Sequence, residues 1–181
     1  MTTYLLAQMW FNDITVIDFD EVENHNIASQ FYKTDQIGRH KVEALKENVV
    51  EFTWVEINAI HDKYKPEYTE WADIVILAVD NMDVRREIVE SCHAKLWVID
   101  WRMSWEVFMT YAFDKDIETP RWLETWFPQD EWLHEVCTAK SISYNCAGIA
   151  CRITKIAKDL AKERKYPFYQ LMDIGNFYLD K

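Results

Sequence analysis

The sequence predicts an α/β fold, a Rossmann-like parallel sheet with helices on both of its faces. Short runs of β-branched residues alternate along the chain with segments whose apolar residues recur at helical spacing. The runs lack polar alternation, which is typical of strands buried on both faces of a parallel sheet. The 181 residues, 49% of them apolar, suit one core, so we expect a single domain over residues 1–181.

The first third of the chain predicts two helices and two strands. Residues 4–10 have the spacing of a helix end, and residues 14–18 form a short β-branched strand. Apolar residues at helical spacing then predict a helix over 35–51. A second strand is expected at 53–58, where apolar and β-branched residues return.

The alternation of strands and helices continues through the rest of the chain. Residues 74–79 form the most apolar run and lead into a helix at 83–93. Residues 114–136 are acidic and aromatic, and they predict a long loop excursion. The other expected elements are strands at 96–100, 106–113 and within 168–179, and a long helix over 141–164 with Ser141 as its N-cap.

The predicted order of the parallel strands is 53–58, 14–18, 74–79, 96–100. Ligands of such sheets bind outside the carboxyl ends of the strands. Carboxylates stand at three of these ends: Asp18, Asp80 and Asp100. An acidic residue after the second strand of a Rossmann fold typically accepts a hydrogen bond from a ribose hydroxyl, so Asp18 is a candidate nucleotide ligand.

Composition excludes several classes of function. The formal net charge is −11 and no basic face is visible, so a nucleic-acid partner is not expected. The sequence holds no long uncharged apolar stretch and no signal-peptide pattern at its start, so we expect no membrane span and a cytoplasmic location. Its four cysteines form no CxxC pair, which gives no support to a disulfide framework or a zinc site.

Three motifs in sequence order carry a resemblance to a known family. The segment Asp18-Phe-Asp-Glu-Val-Glu-Asn-His-Asn-Ile-Ala-Ser-Gln30 is similar to the pattern D-x-D-x-V-x-x-x-N-(L/I)-x-R-Q. Gly38-Arg-His-Lys41 is similar to G-x-x-K, and Asp80-Asn81 with Arg85 to D-N-x-x-x-R. With a further similar stretch at 137–144, the chain resembles the ThiF-type, ubiquitin-activating-enzyme-like adenylyltransferases over residues 4 to 165.

The resemblance implies a reaction, cofactors and partners. Such proteins use ATP with Mg²⁺ to adenylate the C-terminal carboxylate of a small ubiquitin-like or sulfur-carrier protein, and they often work as homo- or heterodimers. It implies nucleotide-binding, catalytic and metal-binding roles for these residues: Asp18 and Asp20 at the nucleotide, Asn26 and Gln30 along the phosphates and the incoming carboxylate, Lys41 at the phosphates, and Asp80 at Mg²⁺. Some relatives carry the activated protein as a thioester, which makes Cys137 a candidate nucleophile.

The sequence departs from the family pattern at three places. It contains only three glycines and no G-x-G-x-x-G loop. It begins within the helix that follows this loop in relatives, so we expect the first strand and the phosphate cradle to be missing and the activity to be impaired. Ser29 stands where the family has an arginine, with Lys33 nearby, and Trp101 and Trp105 stand where relatives tend to carry glycine.

Each site residue also has an ordinary structural interpretation. Lys41 could be a surface lysine, Asn26 and Gln30 could serve the loop, and Asp80-Asn81 could cap the following helix. Cys137 could be a buried structural cysteine. For the whole chain, the alternatives to an adenylyltransferase are a non-catalytic interaction module, such as the inactive half of a dimeric activating enzyme, and a decayed gene product without a function.

Overall fold

The computed structural model describes residues 1–95, 97–104, 106–129, 143–175 and 178–180. Two compact units divide the chain: one contains Met1–Tyr64 with Thr138–Thr154, and the other contains Lys65–Cys137 with Lys155–Lys181. In the described ranges, no helix is both long enough and apolar enough to cross a membrane.

The first unit contains a two-stranded parallel sheet. Its elements are α1 (Thr2–Gln8), β1 (Thr15–Ile17), α2 (Lys41–Thr53), β2 (Asn58–Ile60) and the first part of α5 (Ser143–Leu160). Strand β1 pairs with β2 in parallel, with Val16 opposite Ala59. Its core cluster consists of Ala7, Leu45, Val49, Val55 and Ile57, with Tyr4, Ile14, Val16 and Tyr32 packed against it. The predicted helix at 4–10 and the strand at 14–18 are therefore present, whereas the helix predicted over 35–51 begins only at Lys41 and Thr34–Gln36 forms a separate 3₁₀ turn.

The strand predicted at 53–58 begins later than expected. Helix α2 continues to Thr53, whose Oγ1 donates a hydrogen bond to Val49 O at 2.7 Å. Trp54 then ends the helix in the left-handed conformation, with φ of 63°. The β-branched and aromatic residues here thus serve the end of a helix and a turn, and β2 is confined to Asn58–Ile60.

The second unit contains a mixed five-stranded sheet in the order β3-β4-β5-β6-β7. Strand β3 pairs with β4 in parallel, and the three other ladders are antiparallel. The strands are β3 (Ile74–Leu77), β4 (Trp97–Ser104), β5 (Val107–Asp114), β6 (Tyr169–Asp173) and β7 (Tyr178–Asp180), and the helices are α3 (Met82–Ser91), α4 (Lys115–Leu123) and the last part of α5.

The predicted strand neighbours are confirmed in two places and not in a third. The pairing of β2 with β1 and that of β3 with β4 both follow the expected order and direction. Among the described strands, β1 has only β2 as a hydrogen-bonded neighbour and β3 has only β4, so the expected pairing of 14–18 with 74–79 is not found. The α/β class is confirmed, although the strand at 106–113 adds in the antiparallel direction.

Helix α4 replaces the first part of the loop predicted at 114–136. Asp114 caps it, because its Oδ1 accepts hydrogen bonds from the N–H groups of Asp116 and Ile117 at 2.9 and 3.1 Å. Trp122 is fully buried and stacks on Phe113 with ring centroids 6.0 Å apart. Burial of the Trp122 indole and the Asp114 cap stabilise this helix, which the sequence did not predict because it contains Pro120. The rest of the excursion from 130 onwards, and the Ser141 cap, lie outside the described residues.

Candidate functional site

Asp18 begins a tight turn immediately after β1. Its N–H donates to Ile60 O at 3.2 Å, which extends the β1–β2 pairing by one residue. Its Oδ1 accepts a hydrogen bond from the N–H of Asp20 at 2.8 Å. An aspartate that bonds the backbone two residues on fixes an Asx turn. The carboxylate is therefore held at the carboxyl end of the strand, where the Rossmann pattern places a ribose ligand.

Lys41 lies beside this turn. Its Nζ donates to Asp20 Oδ2 at 2.7 Å, and its backbone N–H donates to Asp20 O at 2.9 Å. The Lys41 side chain is only 14% exposed, so it is not the solvated surface lysine of the ordinary interpretation. As the first residue of α2, it places an ammonium group and a helix N-terminus within reach of the same turn.

The electrostatics of the turn reflect its partial burial. Burial raises the pKa of the Asp18 carboxyl above its ordinary value, while the Asp20 N–H and the positive charge of Lys41 act against this shift. Burial also raises the pKa of the Tyr32 hydroxyl, and the negative charges of Asp18 and Asp20 add to that shift. Two carboxylates, one ammonium group and one phenol therefore interact at the end of β1.

A stacked histidine pair accompanies the turn and was not identified from the sequence. His40 precedes α2 and His61 follows β2, and their rings lie 3.6 Å apart at an angle of 25°. His61 is close enough to Asp18 to act on the pKa of its carboxyl. Both rings are exposed. His61 could have been identified by its position directly after β2, whereas no local pattern places His40 against it.

Asn26 and Gln30 lie in the loop between β1 and α2, with opposite exposure. Asn26 is buried in a 3₁₀ turn, Asn24–Ala28, and its Oδ1 accepts from the N–H of Glu23 at 2.8 Å. The structure thus gives Asn26 the capping role of the ordinary interpretation. Gln30 is exposed, and its N–H donates to Asn26 O at 2.7 Å. Gln30 is therefore the more accessible of the two predicted catalytic residues.

Asp80 and Asn81 lie in the second unit, just after β3. Asp80 is exposed. Asn81 caps α3, because its Oδ1 accepts from the N–H groups of Asp83 and Val84 at 2.9 and 3.0 Å. Asp80 is thus an exposed carboxylate three residues beyond the end of β3, while its neighbour caps the helix. Its convergence with Asp18 and Lys41 stays a prediction.

Asp100, expected at the end of a strand, lies in the middle of β4, which continues to Ser104; it is fully buried and carries a structural network. It accepts hydrogen bonds from Arg85 Nη1, from Arg102 Nε at 3.0 Å and from Trp122 Nε1 at 3.0 Å. Arg85 and Arg102 are 4% and 2% exposed. Because its oxygens are committed to these donors, Asp100 is not an open ligand. Arg85, part of the third motif, thereby ties α3 to β4.

The described part of the chain offers neither a reactive thiol at Cys92 nor a metal-binding cluster. Cys92 is buried, which raises the pKa of its thiol and makes it a poor nucleophile. Cys137 lies outside the described residues. In the part of the chain that the structure covers, no three His, Cys, Asp or Glu side chains gather in a way that could hold a metal ion. A single carboxylate such as Asp80 still fits Mg²⁺, which is commonly bound through one or two carboxylates and substrate phosphates.

Comparisons with known proteins agree with the motifs. The ThiF family model matches residues 2–110. SUMO-activating enzyme subunit 2 of Dictyostelium discoideum is 32% identical over 89 residues, which are 45% of this chain and 14% of that protein. SUMO-activating enzyme subunit uba-2 of Caenorhabditis elegans is 30% identical over 96 residues, which are 49% of this chain and 16% of that protein. The chain therefore spans only a small part of the length of these relatives.

Solved structures share the fold at low sequence identity. The crystal structure of PaaA matches 99% of this chain and 68% of its own, with a TM-score of 0.66 and 16% identity. Escherichia coli MccB, crystallised with AMPCPP and MccA, matches 99% of this chain and 58% of its own, with a TM-score of 0.68 and 14% identity. Since the family model matches more than half of the sequence, the chain belongs to the ThiF family.

Proposed function

We propose that this chain supplies the ribose- and phosphate-facing part of an ATP-dependent adenylyltransferase. The substrate class is a small ubiquitin-like or sulfur-carrier protein with a free C-terminal carboxylate. The observation that carries the proposal is the turn after β1, where Asp18 is fixed by the Asp20 N–H and Lys41 lies beside it. The relatives named as SUMO-activating subunits, and MccB crystallised with ATP, support the reaction class.

The chemistry assigns a role to each side chain. The substrate carboxylate attacks the α-phosphate of ATP, a new C–O–P linkage forms, and the bond to the β-phosphate breaks to release pyrophosphate. Negative charge builds on the phosphoryl oxygens, and a fixed cation stabilises it. Lys41 supplies that cation, Asp18 accepts from the ribose, and Gln30 contacts the phosphates or the incoming carboxylate. Mg²⁺, held through Asp80, would further offset this charge.

We further propose that the 181 residues by themselves do not complete the reaction. The sequence has three glycines at 38, 148 and 175, so it contains no G-x-G-x-x-G cradle. Each hydrogen bond to a charged group is worth about 1.5–3 kcal/mol, so two or three missing contacts weaken phosphate binding by roughly 3–9 kcal/mol. A phosphate-binding loop from another segment or a partner subunit would restore them.

An isotope-exchange and binding experiment tests these statements. We expect no ATP–pyrophosphate exchange, and weak binding of AMP that Asp18→Asn lowers by at least about tenfold, equivalent to about 1.4 kcal/mol. Asp13→Asn, which changes an exposed aspartate of the same unit, is the matched control. Equal binding of AMP to the wild type and to Asp18→Asn would contradict the site. Exchange that depends on Asp80 would contradict the proposed incompleteness.

The second candidate is a non-catalytic interaction module, such as the inactive half of a dimeric activating enzyme. We propose association with itself or with a related subunit, because β1 and β3 each have one edge without a hydrogen-bonded strand among the described residues. Analytical ultracentrifugation with AMP binding separates the candidates: a stable dimer or heterodimer that binds no nucleotide supports the module. If Cys137→Ser abolishes only the thioester with the carrier protein and leaves nucleotide binding and association unchanged, Cys137 would be assigned to carrier transfer.

A further inference from the structure

The ammonium group of Lys41 is already held in an ion pair at the turn after β1. Lys41 Nζ donates a hydrogen bond to Asp20 Oδ2 at 2.7 Å. The side chain of Lys41 is 14% exposed, whereas that of Asp20 is 49% exposed. The ammonium group is therefore largely covered, and the carboxylate is the half of the pair that solvent reaches.

The backbone of Asp20, and not its carboxylate, holds the turn together. The N–H of Asp20 donates to Asp18 Oδ1 at 2.8 Å, and its carbonyl oxygen accepts from the N–H of Lys41 at 2.9 Å. An asparagine at position 20 would keep both hydrogen bonds, because both use main-chain atoms of that residue. The contact that depends on the carboxylate of Asp20 is the one with the Lys41 ammonium group.

The charges of the turn are unfavourable for a phosphate group while this pair is intact. The carboxylates of Asp18 and Asp20 stand against the one ammonium group of Lys41, and the exposed Glu21 follows in the chain. Charges closer than about 8 Å act on one another even at physiological ionic strength. An incoming phosphate therefore meets net negative charge, and it gains the full attraction of Lys41 only by displacing the carboxylate of Asp20.

A phosphate is able to make this exchange. Carboxylate and phosphate oxygens both accept hydrogen bonds from an ammonium group, so one anion can take the place of the other at Lys41. The pair is also weak, because Asp20 is half exposed and water competes for its carboxylate. The exchange still lowers the apparent affinity for phosphate, since only the fraction of molecules in which Lys41 is released can bind it fully.

We propose that Asp20 is an autoinhibitory counter-ion of the nucleotide turn. In the free chain its carboxylate occupies Lys41, and the phosphate of a nucleotide binds by displacing it. The proposal rests on the proposed nucleotide function of the turn and adds a means of regulation to it. Because Asp18 meets the ribose, Asp20 acts on the phosphate part of the ligand alone. The turn therefore discriminates against a nucleoside monophosphate, relative to the nucleoside, more than a turn with a released lysine would.

Ligand-observed NMR titrations with AMP and with adenosine test this proposal. Asp20→Asn keeps the backbone hydrogen bonds and removes the competing charge, so it should bind AMP about three- to tenfold more tightly than the wild type. Adenosine has no phosphate and should show no such gain. Glu21→Gln is the matched control, because it removes the same charge from the next, exposed residue, and it should change AMP affinity less than about twofold. The gain should disappear in Asp20→Asn/Lys41→Met.

A measurement without nucleotide separates this proposal from the proposed function. Acetic anhydride labelling followed by mass spectrometry should modify Lys41 at least about threefold faster in Asp20→Asn than in the wild type, because the amine is released from its pair. If Lys41 is released but no variant binds AMP or adenosine, the nucleotide function is wrong and this proposal falls with it. If the wild type binds AMP and Asp20→Asn binds it equally or more weakly, Asp20 positions Lys41 for the phosphate, and this proposal alone is overturned. An equal gain for adenosine, or for Glu21→Gln, would also overturn it.

Discussion

Removing the charge of Asp100 should destabilise the second unit more than any change at the predicted nucleotide turn. Asp100 is fully buried and its carboxylate accepts from two guanidinium groups and one indole. Asp100→Asn keeps the size of the side chain but leaves Arg85 and Arg102, both almost fully buried, without an opposite charge. The NH₂ group of the new amide would also face N–H donors that the carboxylate of Asp100 now accepts from.

The magnitude follows from the burial. Removing one partner of a buried ion pair costs about 3–5 kcal/mol, because an uncompensated charge is left out of water. Here two cations lose their carboxylate, so we expect a loss at the upper end, about 5 kcal/mol. A typical domain has only about 5–15 kcal/mol of stability. At about 2–4 °C per kcal/mol, the melting temperature should fall by roughly 10–20 °C.

Urea denaturation followed by circular dichroism measures this loss. Asp80→Asn is the control, since Asp80 is an exposed aspartate of the same unit, and it should change stability by less than about 0.5 kcal/mol. A loss below about 1 kcal/mol for Asp100→Asn would refute the reasoning, because it would mean that water or another group compensates the two arginines.

Three further predictions concern single side chains. Trp54→Gly should raise the free energy of unfolding by about 1 kcal/mol in urea denaturation, because it relieves a left-handed residue whose indole is 91% exposed. Asp18→Asn should stabilise the protein at neutral pH. The folded-state pKa of Asp18 is raised, so the stability that its protonated carboxyl contributes below the unfolded pKa is lost as pH rises through the folded pKa. The difference in stability between the variant and the wild type should therefore vanish below about pH 4. Asp159 behaves oppositely, because a hydrogen bond from Lys155, with Arg164 nearby, lowers the pKa of its carboxyl. Asp159→Asn should therefore lose stability above about pH 4 and flatten the acid limb of the pH–stability curve, measured by thermal melts; an unchanged acid limb would contradict this.

Strands were predictable where apolar runs are dense. The run at 74–79 has no polar residue and that at 96–100 has only Asp100, at its end, and their parallel pairing follows from a helical crossover. The end of α2 was not predictable, because Thr53 and Trp54 are strand formers by propensity and the left-handed cap is a tryptophan instead of the glycine or asparagine that usually marks one. Helix α4 was missed because Pro120 reads as a helix breaker, while the burial of Trp122 depends on residues that only the fold brings near.

The sequence predicted those residues of the candidate site that belong to the recognised motifs. Asp18 and Asp20 belong to one motif after β1, and Lys41, 21 residues after Asp20, starts the next helix, so the strand–loop–helix order accounts for their proximity. The stacking of His40 on His61 joins residues on two elements, and no local pattern announces it. Likewise, the sequence places Asp100 after an apolar run, where a ligand-binding carboxylate is expected. Its hydrogen bonds with Arg85 and Arg102 show that its role is structural.

The mixed sheet of the second unit has a consequence for the order of folding. Strands β4 and β5 form a hairpin in which Ser104 faces Val107 across a two-residue connection, so closing it costs little chain entropy. The next ladder joins Thr110 to Gln170, and this pairing must wait until the long intervening segment has been arranged. We expect β4 and β5 to belong to the folding nucleus and β6 to dock late. Mutations in β6 should then mainly speed unfolding, whereas mutations in the hairpin should slow folding.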